Sequence, residues 1–296
     1  MAWSDHDSWL TLLLGPSLLA VAVTLVIVLT VPILLHHFFY YTGSPKKLPE
    51  FILMGPSGSG KTSLITYFKS GHATGTHTSQ TPLTVDVTLP LNVIPKSSEY
   101  REPTDPALKM APQFSLTDTP GHGKLRQSTL DNLAKAGKPQ NIHGVIFLVD
   151  AAASNGSADL HDAAEYLYEV LMALQSRFTK SKNPKKVQPI SLLIATNKHD
   201  LFTALPAPYI KTALEKEISD IRNARTKGLL DSAVTAADAG MMMDDEKEWL
   251  GDTTQEKFEF EQMEELNVPV SIEAGNVLGS DRPDVVRWAN WIGSHL

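Results

Sequence analysis

The stretch Glu50-Phe-Ile-Leu-Met-Gly-Pro-Ser-Gly-Ser-Gly-Lys-Thr62 decides the fold. Glu50 to Met54 reads as a buried strand, and Gly55 to Thr62 matches the pattern G-x-x-x-x-G-K-[ST]. Glycines there let several backbone N–H groups converge on phosphate oxygens, and the helix opening near Gly60 adds a favourable dipole. Gly55, Ser57, Gly58, Ser59, Gly60, Lys61, Thr62 and Ser63 are therefore expected to cradle phosphate. Lys61 should reach the β- and γ-phosphates, and the Thr62 hydroxyl should ligate Mg2+.

Outward from this loop the chain alternates between two periods. Apolar strand-like runs fall at Leu83 to Leu89, Phe114 to Thr117, Gly144 to Val149, Ile190 to Thr196 and Val268 to Ile272. Helical spacing marks Gly60 to Lys69, Asp159 to Phe178, Ala207 to Lys227 and Pro283 to His295. In the second of these, Leu160, Ala163, Ala164, Leu167, Leu171 and Leu174 recur on one face. The expectation is an α/β fold, a mostly parallel six-stranded sheet with helices on both faces. Two stretches break the rhythm. Pro90 to Pro112 reads as a surface excursion, and Leu229 to Thr254 as a flexible loop whose Met241-Met242-Met243 run is an alternative docking patch.

Before the strand lies a segment of another kind. Trp9 to Leu35 carries no formal charge and, as a helix, would run roughly 40 Å, more than the hydrocarbon thickness of a bilayer. Gly15-Pro16 marks a helix start or kink, and Pro32 lies near the exit. A cleaved signal peptide is the alternative, but the leader holds Asp5 and Asp7 and no basic residue. Lys46 and Lys47 beyond the segment put the C-terminal side in the cytosol, with Phe38 to Tyr41 as an aromatic anchor. The expected divisions are a luminal N-terminus at 1–8, a transmembrane helix at 9–35, a juxtamembrane linker at 36–47 and a nucleotide domain at 48–296. Net charge is −7 over 296 residues, so direct nucleic-acid binding is not expected. The absence of cysteine excludes disulfides, thiolate zinc sites and a thiol nucleophile.

Two further motifs follow apolar strands. In Leu116-Thr-Asp118-Thr-Pro-Gly121-His122, Asp118 is placed to hold Mg2+ through a water, and Gly121 to offer its N–H to a γ-phosphate. In Ala195-Thr-Asn197-Lys198-His199-Asp200, the Asp200 carboxylate suits the adjacent N1–H and N2 amine of guanine, a donor pair that adenine lacks. Asn197 is assigned the far edge of the base and the neighbouring loops, and Lys198 lays its alkyl stem along the ring. The bound species is GTP or GDP with Mg2+.

These residues resemble the small Ras/Arf-like GTPase family and its P-loop GTPase fold. The resemblance implies a switch threonine contacting Mg2+ in Ser79-Gln80-Thr81-Pro82-Leu83-Thr84; Thr81 is the choice and Thr84 the alternative. It also puts Ala274, in Glu273-Ala274-Gly275-Asn276, at the last guanine loop, where this chain departs from the usual Ser-Ala-Lys. His122 stands where Ras-like enzymes place a water-orienting Gln. Within the family the chain looks most like the signal recognition particle receptor β subunits. Leu125-Arg126, Phe147-Leu-Val-Asp150-Ala-Ala, Ala164-Glu-Tyr-Leu-Tyr168, Leu214-Glu-Lys-Glu217 and Phe258-Glu-Phe260 carry that likeness.

The likeness implies GTP-dependent recruitment of the receptor α subunit, through its N-terminal domain, to the endoplasmic reticulum membrane. The translocon and the ribosome are further candidate partners, and slow GTP hydrolysis is the implied activity. The alternatives are an Arf-like trafficking GTPase, a translational GTPase and a non-hydrolysing GTP-dependent scaffold.

Overall fold

The computed structural model of the protein describes residues 18–42, 48–72, 74–90, 93, 96, 112–135, 141–180, 188–238, 250–251, 257–279 and 283–296. It separates into two units, Met1–Lys47 and Leu48–Leu296. The first contains helix α1 (Leu18–Thr42), 25 residues with Pro32 inside it. The helix runs through Pro32, as the expected 9–35 span would, and continues over residues 36–42 of the expected linker. The expected luminal segment, 1–8, and the start of the expected span, 9–17, lie outside the described residues. Among the described residues no helix is long and apolar enough to cross a membrane. The described side chains of α1 include an unbroken run only from Val21 to His37, all of them exposed.

The second unit is built on a six-stranded sheet of order β2-β3-β1-β4-β5-β6. Its strands are β1 (Glu50–Met54), β2 (Leu83–Thr88), β3 (Gln113–Asp118), β4 (Ile142–Asp150), β5 (Ser191–Asn197) and β6 (Val270–Ala274). Only β2, on β3, pairs antiparallel. The helices are α2 (Lys61–Ser70), α3 (Gly123–Ala134), α4 (Ser157–Thr179), α5 (Ala207–Asp238), the short α6 (Gln262–Glu265) and α7 (Val286–Ser294).

Both faces are covered because the central strands are apolar on both sides, as a parallel sheet requires. Ile52, Met54, Val145, Phe147, Leu192 and Ile194 face one core, packed by residues of α3, α4 and α5. Phe51, Leu53, Ile146, Leu148, Leu193 and Ala195 face the other, with Leu64 and Ile65 of α2 and Trp288 and Ile292 of α7. Phe258 and Phe260 stack edge-on at 5.6 Å. Their backbone N–H groups donate to Ser219 Oγ (2.9 Å) and Glu215 Oε1 (3.1 Å) of α5.

Three expectations shift. The last strand begins at Val270 rather than Val268, because Val268 is buried in the loop ahead of it and Pro269 supplies only its carbonyl to Leu192. Helix α5 runs to Asp238, so the first part of Leu229 to Thr254 is helical; Gly228 alone does not outweigh the helix-forming residues on either side. Met241 to Met243 lies outside the described residues. Most of the Pro90 to Pro112 excursion does too, but Leu89 and Val93 at its entry are buried in the core.

Candidate functional site

Register brings the motifs to one edge. Leu53 pairs with Asp118 across β1 and β3, Met54 with Phe147 across β1 and β4, and Asp150 with Asn197 across β4 and β5. The loops after β1, β3 and β5 therefore leave from the carboxyl ends of neighbouring strands, where open α/β sheets bind ligands. They enclose a cavity of about 830 Å³ lined by residues 57–58 and 60–63, residues 75–81, Gly121, His122, Leu125, Asn197, Lys198, Asp200, Leu201 and Leu278.

At one end, Gly60 caps α2 in a left-handed conformation and gives the helix no side-chain cap, so the first-turn N–H groups stay open to an anion. Lys61 is buried. Its ammonium donates to the carbonyls of Gly55 (2.8 Å) and Pro56 (2.7 Å) and lies 3.4 Å from Ser59 Oγ. Burial pushes its pKa down to about 8, against the pull of the Asp118 carboxylate. The Thr62 hydroxyl donates to Asp118 Oδ2 at 2.7 Å, while Asp118 Oδ1 is buried without a partner. Burial raises the Asp118 pKa above the ordinary carboxylate value.

At the other end, Asn197 acts as a three-way tie. Its amide donates to the Ser59 carbonyl (2.8 Å), and its Oδ1 accepts from the N–H groups of Lys198 (2.8 Å) and Val277 (3.1 Å). Lys198 holds a left-handed backbone, φ 66°, and its ammonium is ion-paired with Asp150. Asp150 also accepts from the N–H groups of Ala152 and Ala153, both at 3.0 Å. Asp200 is exposed on the cavity wall, with Leu201 and Leu278 as apolar neighbours.

Among the anticipated residues, Ser57, Gly58, Gly60, Lys61, Thr62, Ser63, Thr81, Gly121, His122, Asn197, Lys198 and Asp200 all border the cavity. Thr81 is there, whereas Thr84 lies in β2 opposite Thr117, with its hydroxyl 3.0 Å from that of Thr117. Ala274 is not on the wall. It ends β6, paired with Thr196, and the chain reaches the cavity four residues later at Leu278. Sequence reasoning missed the role of Asp150: an acid at a strand end signals a cap as readily as a lysine partner.

The profile of the signal recognition particle receptor beta subunit family matches residues 46–268. Two receptor beta subunits are each 33% identical. The one from Saccharomyces cerevisiae aligns over 61% of this chain and 61% of its own length, and the one from Mus musculus over 75% and 70%. The match to the yeast relative thus spans about three-fifths of that protein. Among solved structures, the signal recognition particle receptor SRb-GTP/SRX complex from Chaetomium thermophilum aligns with a TM-score of 0.65 at 34% identity. That alignment covers 83% of this chain and 99% of the other. The SRb-GDP-Mg structure from the same organism gives 0.60 at 35%, over 84% and 99%. With the strand order, the phosphate loop and the guanine loop already in place, the chain belongs to the signal recognition particle receptor beta subunit family.

Proposed function

We propose that this chain is the membrane-anchored GTP-binding subunit of a signal recognition particle receptor. In the GTP state it recruits the α subunit, through that subunit's N-terminal domain, to the endoplasmic reticulum membrane for co-translational targeting. The translocon and the ribosome are its proposed neighbours there. One observation carries the reading: Lys61, Thr62, Asn197, Lys198 and Asp200 converge on a single cavity at the carboxyl edge of the sheet, with Asp118 behind Thr62 accepting its hydroxyl. The relative solved with GTP and SRX supplies the partner class.

In this reading Lys61 exchanges the Gly55 and Pro56 carbonyls for phosphate oxygens. Asp200 accepts the two guanine donors while Lys198, tethered by Asp150, lies along the ring. The residues also fit Mg2+. A buried, unpartnered Asp118 oxygen sits beside the Thr62 hydroxyl. Among the described residues no cluster of three metal-ligating side chains occurs, and Mg2+ on a nucleotide draws most of its ligands from phosphates and water. Thr62 would hold the ion directly, Thr81 from the switch, and Asp118 through water; bound there, it would neutralise charge on the terminal phosphates.

His122 is exposed at the cavity wall and caps α3, and in this reading its ring orients the attacking water. Among the described residues the cavity wall contains no arginine, which supports slow intrinsic turnover. The sequence supports the anchor: Trp9 to Leu35 carries no formal charge and as a helix is long enough for a hydrocarbon core of about 30 Å. The GTPase domain then faces the cytosol on a single-pass anchor.

Co-flotation of the full chain with phospholipid vesicles tests anchor and partner together. Receptor α-subunit N-terminal domain should float with the vesicles under GTP loading and stay behind under GDP. Equal recovery in both states would remove the switch, and a chain that fails to float would remove the anchor.

Lys61 also sets a pH dependence. Its folded pKa of about 8 lies below the ordinary 10.5, so between those values the folded domain has released a proton that the unfolded chain keeps. The free domain therefore gains stability as pH rises through that window. Phosphate requires the ammonium, so nucleotide affinity should fall about tenfold per unit above pH 8. Equilibrium titrations on either side of that pH, paired with denaturant unfolding of the free protein, should move in opposite directions.

A further inference from the structure

Arg126 is buried, and its guanidinium is engaged on every side. Nε donates to the Gly121 carbonyl at 2.9 Å. Nη1 and Nη2 fork onto the Asp162 carboxylate at 3.1 to 3.2 Å. The cation also lies 4.1 Å over the Tyr166 ring. Asp162 and Tyr166 are one turn apart on α4, and Tyr166 is fully buried against Phe147 at 5.5 Å. A rigid helix thus grips the backbone of the loop after β3 through one side chain.

The point gripped is the one that matters to a third phosphate. An added Cβ on Gly121 would lie 2.7 Å from Ser57 N, and 2.8 Å from both Gly55 O and Lys61 Nζ. Gly121 therefore presses on the phosphate loop beside the lysine ammonium. Gly121 and His122 border both the nucleotide cavity and a second cavity of about 280 Å³, and Arg126 borders only the second. Arg126 holds the Gly121 carbonyl toward its own guanidinium, which Asp162 and Tyr166 brace. That hydrogen bond fixes the Gly121–His122 peptide, next to the Gly121 N–H expected to meet the γ-phosphate.

We infer that Arg126 is a positioning residue for the third phosphate: braced by Asp162 and Tyr166 of α4, it pins Gly121 and so sets the preference for GTP over GDP. The inference rests on the nucleotide reading above. GDP ends one phosphate short of Gly121 and does not use the pinned backbone. If Arg126 merely glued α3 to α4, its loss would weaken both nucleotides alike.

The test is equilibrium binding of a non-hydrolysable GTP analogue and of GDP to the full chain in detergent with Mg2+, for wild type, Arg126→Gln and Asp162→Asn. Arg126→Gln should lose about tenfold in affinity for the GTP analogue and change less than about twofold for GDP. Asp162→Asn, which weakens the fork at a half-exposed acid (51%), should move the same ratio about threefold. Parallel losses for both nucleotides, or an unchanged ratio, would overturn the proposal. Should Arg126→Gln fail to fold, the Asp162→Asn ratio decides. A wild-type chain that binds neither nucleotide would instead bring down the reading on which the proposal rests.

Discussion

Asp200→Asn should weaken GTP binding by about three orders of magnitude and raise the affinity for xanthosine triphosphate to a comparable level. Two hydrogen bonds to one carboxylate contribute about 1.5 to 3 kcal/mol each, and the substitution puts an amide donor against the N2 amine. Xanthine carries an oxygen there, so the same amide finds an acceptor. Asp200 can hold this geometry because its neighbours are fixed: His199 bonds Thr196 Oγ1 at 3.0 Å, and a Cβ added at Gly279 would touch the Asp200 side chain at 3.5 Å. Leu201 and Leu278 line the cavity next to it and offer no competing donor. Competition against labelled GTP checks both halves. Loss of GTP without gain of xanthosine triphosphate would mean that Asp200 serves the loop rather than the base. Equal binding of ATP by the wild type would end the guanine assignment.

Much of this was legible because phosphate and guanine recognition use short, local motifs at strand ends. Glu50–Met54 and the loop after it lie where the pattern places them, and six apolar runs became six strands. Helix α3 was not anticipated. Its buried stripe is Arg126, Leu130 and Leu133, correct helical spacing with a cation in the first position. A binary apolar reading scores that arginine as solvent-facing, although Tyr166 and Asp162 bury it. Ala274, expected at the last guanine loop, ends β6 and does not line the cavity. Family spacing counts from the strand end, but here the backbone of Asn276 pairs with Asp284 first, and only then does Leu278 reach the cavity. The Asp150–Lys198 pair joins residues 48 apart in sequence, and no local pattern encodes it. What was hidden was long-range pairing of charged side chains; what was visible was backbone chemistry.

Gly60→Ala should damage the site heavily with a single methyl. Gly60 has φ 101°, where an L-residue is strained by about 1 to 3 kcal/mol, and its new Cβ would lie 2.2 Å from Asn197 Nδ2. Asn197 must then swing away, giving up the Ser59 carbonyl and the N–H groups of Lys198 and Val277. Stranding buried donors and acceptors costs about 1 to 3 kcal/mol each. A total loss of about 3 to 5 kcal/mol in stability is expected, with GTP and GDP affinity both falling more than about a hundredfold. Gly58→Ala separates clash from strain. Gly58 is also left-handed, φ 80°, but nothing lies within 4 Å of its added Cβ, so only about 1 kcal/mol should be lost. Denaturant unfolding of the two variants side by side measures the difference. Equal destabilisation would show that Asn197 does not tie the phosphate loop to the guanine loop, because the only contact distinguishing the two glycines is the one to its amide.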